Sequence, residues 1–412
     1  MYSPFRHINS IFWKSRPIHL TFFLTRRCNS SCPFCFYLKN TDNILMKPQI
    51  KPQISPSPSS PPLKGGAVVL PSPLEGEGEP ACPVGRGEGG LLMNSSVTSK
   101  EKELSIDEIQ KISSSFGDLL WLAFSGGEIF LREDLVEISN IFYKQNRPAI
   151  MLFPTNGLLP ELIKDRTEQI LKKCPNSVIT VKLSIDGLHK DHDILRNTPG
   201  SFEKTIHTYN LLGPFLEKYP NFELGVNTVF CSENQDRIDN IIDFVTGLNN
   251  IKTHTISLVR GNLSDDSFKK VDFKKYNSAI EQLEKNLKNR TSNTYRFKGA
   301  RIKAAQDILQ RHMIHRTMNE QKRLIPCYAG RLNLVLSESG DVFPCEILTE
   351  KLGNVREQGY DINKILDSDK ASVILRGIKN KQCFCTHECY FMTNILFNPA
   401  LYPALFKEYI QL

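Results

Sequence analysis

Three cysteines near the amino terminus have the spacing of a metal-binding loop. Cys28, Cys32 and Cys35 are separated by three and then two residues. Thiolates this close in sequence can converge on a metal ion or an iron–sulfur cluster, and a cubane cluster is usually held by four cysteines. Three ligands would leave one iron open to a small molecule, as a catalytic site requires. The alternatives are a zinc knuckle completed from elsewhere in the chain, or buried thiols in an inert loop.

Five more cysteines are grouped near the carboxyl terminus. Two short strands are predicted at 332–336 and 341–345 around a glycine-containing turn, and this hairpin would bring Cys327 and Cys345 together. Three further thiols, Cys383, Cys385 and Cys389, follow within seven residues. Five thiols suffice for one four-cysteine cubane with one thiol spare. A structural zinc site is the alternative. His387 could replace a thiolate as a ligand, or it could hydrogen-bond to a ligand without contacting the metal.

Alternating strands and helices must position these loops. A buried strand at 18–25 leads into the first cysteine group, and five more strand-like segments follow, each with a helical pattern after it. Six consecutive strand–helix units predict an α/β fold, a partial (β/α)6 barrel of parallel strands, with a small cysteine-rich extension. The later strands are predicted at 119–124, 149–153, 178–185, 222–230 and 252–259. A first helix is predicted after a capping box formed by Ser105 and Glu108. The later helices are predicted at 133–145, 160–173, 201–217, 236–248 and 273–289.

Residues suited to binding follow the predicted strands. The carboxyl ends of parallel strands carry the chemistry of α/β folds, so these residues are candidate ligand contacts. Each also has a simpler explanation as an ordinary turn residue or a solvated charge. The candidates are Gly126, Gly127, Glu128, Asn156, Ser184, Asp186, Arg196 and, with less support, Arg260.

The first cysteine motif, with the aromatic Phe36 after it, resembles that of the radical S-adenosylmethionine (radical SAM) superfamily. The resemblance implies a 4Fe–4S cluster on Cys28, Cys32 and Cys35 whose open iron chelates the amino and carboxylate groups of SAM. Phe34 and the neighbouring aromatic residues would shield that cluster.

The same resemblance assigns roles to the residues at the strand ends. Gly126, Gly127 and Glu128 resemble the family's GGE motif, which contacts the amino group of SAM. Ser184 and Asp186 resemble the residues that meet its ribose or carboxylate. Arg196 is placed to pair with the carboxylate, and Asn156 is a further candidate for SAM binding.

The carboxyl-terminal cysteines resemble a SPASM/twitch extension. The matching pattern is Cys327-x12-Gly340-x4-Cys345, followed by Cys385-x3-Cys389. A full SPASM domain has seven cysteines, so the resemblance implies a shortened version with one auxiliary 4Fe–4S cluster. Cys327, Cys345 and Cys389 are the firmer ligands, and Cys383 and Cys385 compete for the fourth place.

Composition limits the class of protein. The 412 residues are 40% hydrophobic, and the net charge is +8. Lys and Arg are scattered among Asp and Glu and form no basic block, so the charge pattern does not support binding to nucleic acid or to a membrane surface. No apolar run reaches the roughly 18–20 residues that span a bilayer, and no signal peptide is visible, so we expect a cytoplasmic protein. Eleven cysteines, an odd number, favour metal ligation in a reducing compartment over disulfides.

The chain divides into a lead-in at 1–17, a barrel core at 18–290, a helical connector at 291–320, the auxiliary cluster region at 321–395 and a tail at 396–412. Residues 47–99 are rich in Pro, Ser, Gly and Glu, which predicts a disordered insertion carrying Cys82. The isolated Cys174 and Cys231 are expected in the core.

The resemblance implies an enzyme that reductively cleaves SAM to a 5′-deoxyadenosyl radical and abstracts a hydrogen atom from its substrate. A peptide or protein maturase is favoured, with electrons from a flavodoxin or ferredoxin. One alternative is an oxidoreductase acting on a small molecule such as an aminocyclitol, a sugar or a tetrapyrrole. Another is a non-catalytic iron–sulfur or zinc protein.

Overall fold

The computed structural model describes residues 1–37, 103–380 and 383–412. The predicted insertion at 47–99, with Cys82, lies outside these residues. One sheet of nine strands organises the described chain, in the order β6-β5-β4-β3-β2-β1-β7-β8-β9. The strands are β1 His19–Thr25, β2 Trp121–Gly126, β3 Ile150–Thr155, β4 Val178–Ser184, β5 Phe222–Phe230, β6 Thr253–Leu258, β7 Asn333–Leu336, β8 Asp341–Phe343 and β9 Gly353–Asn354.

Helices follow the strands as the sequence predicts, with two differences. A short helix at Lys190–Leu195 was not predicted. The segment predicted as one helix at 201–217 is divided in two, because Gly213 and Pro214 interrupt it. The first helix begins at the predicted capping box, in which Ser105 and Glu108 bond each other's backbone amides. The helices are α1 Ile106–Ser115, α2 Leu135–Asn146, α3 Pro160–Lys173, α4 Lys190–Leu195, α5 Ser201–Leu212, α6 Phe215–Lys218, α7 Ile238–Thr246, α8 Phe273–Lys288, α9 Ala300–Glu320, α10 Ile362–Leu366, α11 Asp369–Lys379, α12 Glu388–Leu396 and α13 Tyr402–Ile410.

Strands β1 to β6 are parallel neighbours and curve around one cavity of about 420 Å³. Alternate residues of each strand line this cavity, while the intervening apolar residues pack against the helices outside. The fold is therefore the predicted partial barrel. The inward residues are Thr21, Ala123, Ser125, Leu152, Pro154, Thr180, Lys182, Ser184, Asn227, Val229, Thr253, Thr255 and Ser257.

The predicted hairpin near the carboxyl terminus is present and extends the barrel's own sheet. Strand β7 pairs in parallel with β1, matching His19 with Asn333 and Phe22 with Leu336, and β8 and β9 continue the sheet antiparallel. This places Cys345, two residues past β8, on the same sheet as the strand that leads to Cys28. Among the described residues, none of the helices combines the length and apolarity needed to cross a bilayer.

Candidate active site

The loop carrying Cys28, Cys32 and Cys35 is held against the end of β2 by two glycines. The Gly127 amide donates to the Thr25 carbonyl at 2.8 Å, and the Glu128 amide donates to the Arg27 carbonyl at 2.9 Å. A Cβ atom on Gly127 would lie 2.1 Å from the Arg27 oxygen, and Gly126 has a φ of +120°. Glycine is therefore required at both positions because the cysteine loop approaches so closely.

Glu128 lies beneath this junction, 2% exposed, and its carboxylate already has three protein partners. It accepts from the Asn156 amide at 2.8 Å, the Thr155 hydroxyl at 3.0 Å and the Phe130 amide at 3.2 Å. Burial raises the pKa of Glu128 to about 7, despite these bonds. Glu128 therefore joins the end of β2 to the end of β3.

Asn156 connects the end of β3 to the cysteine loop. Its side-chain amide donates to the Asn29 carboxamide oxygen at 2.7 Å and lies 3.8 Å from the Cys28 sulfur. Asn156 is 7% exposed. The sequence analysis named Asn156 as a ligand contact, and its observed contacts are to the loop itself.

A buried ion pair supports the other side of the loop. The Arg196 guanidinium donates to Asp186 at 2.7 Å through Nε and approaches the same oxygen at 2.5 Å through Nη2. The second Asp186 oxygen accepts from the Val229 amide at 2.7 Å, which connects the ends of β4 and β5. Arg196 also lies 5.8 Å from the centroid of the Phe34 ring.

Hydroxyl groups tie the loop to the turn that follows Arg196. The Ser30 hydroxyl lies 3.2 Å from the Cys32 sulfur and 3.0 Å from the Thr198 hydroxyl. The Asn197 side chain donates to Ser31 at 3.0 Å. Ser184 lines the cavity beside Arg196, as do Cys32 and Cys35.

The three thiols of the loop fit a metal cluster better than free thiolates. Burial, together with the charges of Glu128, Cys32 and Cys35, raises the pKa of Cys28 to about 12. Thiolates held this close without a cation repel one another, and a bound metal removes that penalty because it deprotonates its ligands. The donor set is therefore suited to an iron–sulfur cluster.

A single ion would need a tighter arrangement. Within residues 1–37, 103–380 and 383–412, no three His, Cys, Asp or Glu side chains are close enough to hold one metal ion. Ligands of a single zinc ion all lie about 2.0–2.3 Å from it. A cubane instead distributes its thiolates over separate irons, so its ligands lie farther apart.

Four carboxyl-terminal cysteines surround a second, smaller cavity. Cys327, Cys345, Cys383 and Cys385 line about 40 Å³ of space. Burial raises the pKa of Cys385 to about 12, with further contributions from the charges of Cys327 and Cys383. The Arg323 guanidinium donates to the Cys383 sulfur at 2.8 Å, and the Leu348 amide donates to Cys345 at 3.3 Å.

Cys389 and His387 do not line this small cavity. Cys389 lines the large barrel cavity, at the start of α12. Both nitrogens of His387 have partners, since Nδ1 accepts from the Cys389 amide at 3.2 Å and Nε2 lies 2.6 Å from Glu346. The sequence favours Cys389 over Cys383 and Cys385 as a cluster ligand, and that ranking stays a prediction.

Arg260 connects the two cysteine regions, a connection that the sequence analysis did not predict. Its guanidinium donates to Glu388 at 2.9 Å and lies 6.0 Å from the centroid of the Phe36 ring. Cys174 and Cys231, by contrast, are fully buried in the core, as predicted.

Comparison with known proteins identifies the carboxyl-terminal cysteine region and finds relatives of the chain. Residues 327–390 match the SPASM family, an iron–sulfur cluster-binding domain. The AdoMet-dependent heme synthase of Methanosarcina barkeri is 26% identical over 273 residues, which are 64% of this chain and 72% of that protein. The subtilosin biosynthesis protein AlbA of Bacillus subtilis is 24% identical over 350 residues, 84% of this chain but only 59% of AlbA.

The fold is also that of a solved structure. Native anSMEcpe with bound AdoMet and Cp18Cys peptide has a TM-score of 0.52 to this chain at 15% identity, and the match covers 96% of each chain. The SPASM match identifies residues 327–390 as an iron–sulfur cluster-binding domain beside the partial barrel.

The chain is similar to radical SAM enzymes with a carboxyl-terminal SPASM domain, and its residues 327–390 match that domain. Its cofactors are accordingly a 4Fe–4S cluster that binds SAM, SAM itself and an auxiliary iron–sulfur cluster.

Proposed function

We propose that this enzyme reductively cleaves SAM at Cys28, Cys32 and Cys35 and abstracts a hydrogen atom from a substrate bound in the barrel. The observation that carries the proposal is that Cys32 and Cys35 line the same cavity as the inward side chains of the strands. Cys28, Cys32 and Cys35 would hold the cluster, which when reduced would supply the one electron needed to cleave SAM reductively. Chemistry at the loop thus opens directly onto the barrel interior.

The chain's own residues hold this site rigid. Glu128 and Asn156 fix the ends of β2 and β3 beneath the loop, and the Asp186–Arg196 pair fixes the ends of β4 and β5. Arg196 keeps further N–H groups that can donate to a carboxylate of SAM. Phe34, 6% exposed, covers the side of the loop and excludes water from it.

For the auxiliary cluster, we propose Cys327, Cys345, Cys383 and Cys385 as ligands. These four thiols share one cavity, and two of them accept hydrogen bonds from Arg323 and from a backbone amide. Hydrogen bonds to ligand sulfur adjust the potential of an iron–sulfur cluster.

A peptide or protein is the proposed substrate. AlbA is named for bacteriocin biosynthesis, and anSMEcpe was solved with a peptide bound. The resulting chemistry is oxidoreductase-like, with electrons from a flavodoxin or ferredoxin. A small molecule is the second candidate, because a cavity of about 420 Å³ is the size of a small-molecule site and one relative is a heme synthase.

The test uses protein reconstituted anaerobically with iron and sulfide. With dithionite, we expect it to bind about eight irons and to convert SAM to 5′-deoxyadenosine. Cys32→Ala should abolish the conversion and retain about four irons. Cys174→Ala, which removes a buried thiol outside both groups, is the control and should retain both properties. Stoichiometric zinc without SAM cleavage would contradict the proposal.

A further inference from the structure

Lys182 is the one charged residue of strand β4. It lies in β4, two residues before Ser184, and points into the barrel cavity. Its ammonium group donates to the hydroxyl of Thr255 on β6. Across the described part of the chain, no carboxylate lies within salt-bridge distance of it. A buried ammonium with only a neutral partner is costly in a folded protein.

Arg311 enters the same cavity from α9, on the opposite side. Its Nη2 atom donates to the His254 carbonyl at 3.3 Å, and its Nη1 atom is buried without a partner. His254 and Thr255 are consecutive residues of β6, so the two cations reach the same short stretch of strand. Burial, together with the positive charges of Arg311 and Lys182, lowers the pKa of His254 to about 3.

Other buried cations of the cavity have acidic partners. Lys303 pairs with Asp307, Arg260 with Glu388 at 2.9 Å, and Arg196 with Asp186. Lys252 also lines the cavity but is much less buried. Lys182 and Arg311 are therefore the two positive charges reaching into this cavity that form no salt bridge with the described residues, although Asp307 and Glu388 act on Lys182 from a greater distance.

Two neutral groups beside these cations also have no partner among the described residues. The Tyr276 hydroxyl, on a fully buried side chain of α8, is unbonded. The Thr228 hydroxyl donates to the Ile185 carbonyl, so His254 must donate to Thr228 through Nε2, which leaves Nδ1 as a buried acceptor. Buried polar atoms are normally bonded, so their clustering in one cavity indicates a ligand.

We propose that Lys182 and Arg311 bind a carboxylate of the substrate inside the barrel. This rests on the proposed function insofar as the ligand is the substrate. Lys182 lies two residues below the strand end at Ser184, while the cysteine loop and Arg196 lie above it, so the anion site is deeper in the barrel than the SAM site. A guanidinium and an ammonium together can satisfy both oxygens of one carboxylate.

The proposal is tested by ligand-dependent thermal stability of the anaerobically reconstituted enzyme. We expect sodium glutarate to raise the melting temperature by a few degrees relative to sodium chloride of equal ionic strength. The diamide of glutaric acid should give no shift. N-acetyl-Gly-Glu-Gly-amide tests the same group on a peptide, and a larger shift from it than from glutarate would favour a peptide as the carrier of the carboxylate.

Substitutions test whether the glutarate-dependent shift in melting temperature arises at Lys182 and Arg311. Lys182→Met and Arg311→Met should each abolish the glutarate shift, and Arg316→Met, on an exposed face of the same helix, should retain it. Without ligand, Lys182→Met should melt at or above the wild-type temperature, since it removes a buried charge that forms no salt bridge with the described residues. Lys182→Arg should recover part of the shift if Met substitution impairs folding.

Results of two kinds, on glutarate binding and on SAM affinity, would overturn the proposal. One is the absence of a glutarate shift in the wild type, or an equal shift in the Lys182→Met, Arg311→Met double variant. The other is a loss of SAM affinity in that double variant, since the anion would then be the carboxylate of SAM. A wild type that binds glutarate but does not cleave SAM would contradict the proposed function and leave the anion site intact.

Discussion

At the residue scale, the side chains beneath the cysteine loop already have hydrogen-bond partners within the protein. The Glu128 carboxylate accepts hydrogen bonds from three protein donors, and the Asn156 side-chain amide donates to Asn29. Neither residue needs to touch SAM to be essential. Loss of either would displace the loop, because the hydrogen bonds cross from one strand end to the next.

Glu128 gives a pH-dependent prediction for the cluster-free chain. Its pKa is raised to about 7 in the folded protein by burial, from a normal value of 4.5, so the folded state binds more protons between these values. Stability should therefore fall by about 2–3 kcal/mol as the pH rises from 4.5 to 7. Urea unfolding of wild type and Glu128→Gln at several pH values measures this difference. A pH dependence that is unchanged in the variant would refute the assignment.

The carboxyl-terminal cysteines give a prediction about iron content. Cys385→Ser should reduce the iron of the reconstituted protein from about eight to about four, because it removes one of the four thiols around the small cavity. Cys389→Ser is the matched comparison and should retain about eight irons, since Cys389 faces the barrel. The reverse result would restore the ligand order that the sequence favoured.

At the element scale, backbone contacts between the ends of β1 and β2 fix the position of the start of the cysteine loop. The backbones of residues 25–27 and 126–128 approach so closely that two amide–carbonyl bonds form between them. Side chains would separate these segments, so the glycine pair acts on the loop through the backbone.

Gly127→Ala tests this junction. A methyl group 2.1 Å from the Arg27 oxygen requires the backbone to move, and we expect SAM cleavage to fall at least tenfold with a lower melting temperature. Gly117→Ala is the control, because no atom lies within 4 Å of a Cβ there. Equal activity of the two variants would show that the loop tolerates the shift.

At the scale of the whole molecule, the auxiliary cluster region and the barrel share one sheet. Strand β7 covers the edge of β1, and Arg260 of the barrel pairs with Glu388 of the cysteine-rich region. A fully buried strand such as β1 would be left with an open edge if the region after 320 were absent.

Truncation after residue 320 tests whether the barrel is stable alone. We expect the truncated chain to aggregate, because the exposed edge of β1 pairs with other chains. The full chain with Cys327, Cys345, Cys383 and Cys385 all replaced by Ser is the control, since it loses the cluster but keeps the sheet. A soluble truncated protein that binds about four irons would contradict the expectation.

The sequence by itself determined the elements and the first cysteine group. The apolar strands, the capping box at Ser105 and the spacing of Cys28, Cys32 and Cys35 are local patterns, and the structure has each of them. Local periodicity and spacing carry this information because the backbone geometry within an element is fixed over a few residues.

Only the tertiary structure decided which distant residues lie next to one another. Cys383 and Cys385 share a cavity with Cys327 while Cys389 turns toward the barrel, and Lys182 meets a cavity wall contributed by α9. These contacts join residues more than fifty positions apart in the chain, and sequence spacing does not encode which face of the sheet such residues share. Whether a buried charge has a neutralising partner depends on that assembly.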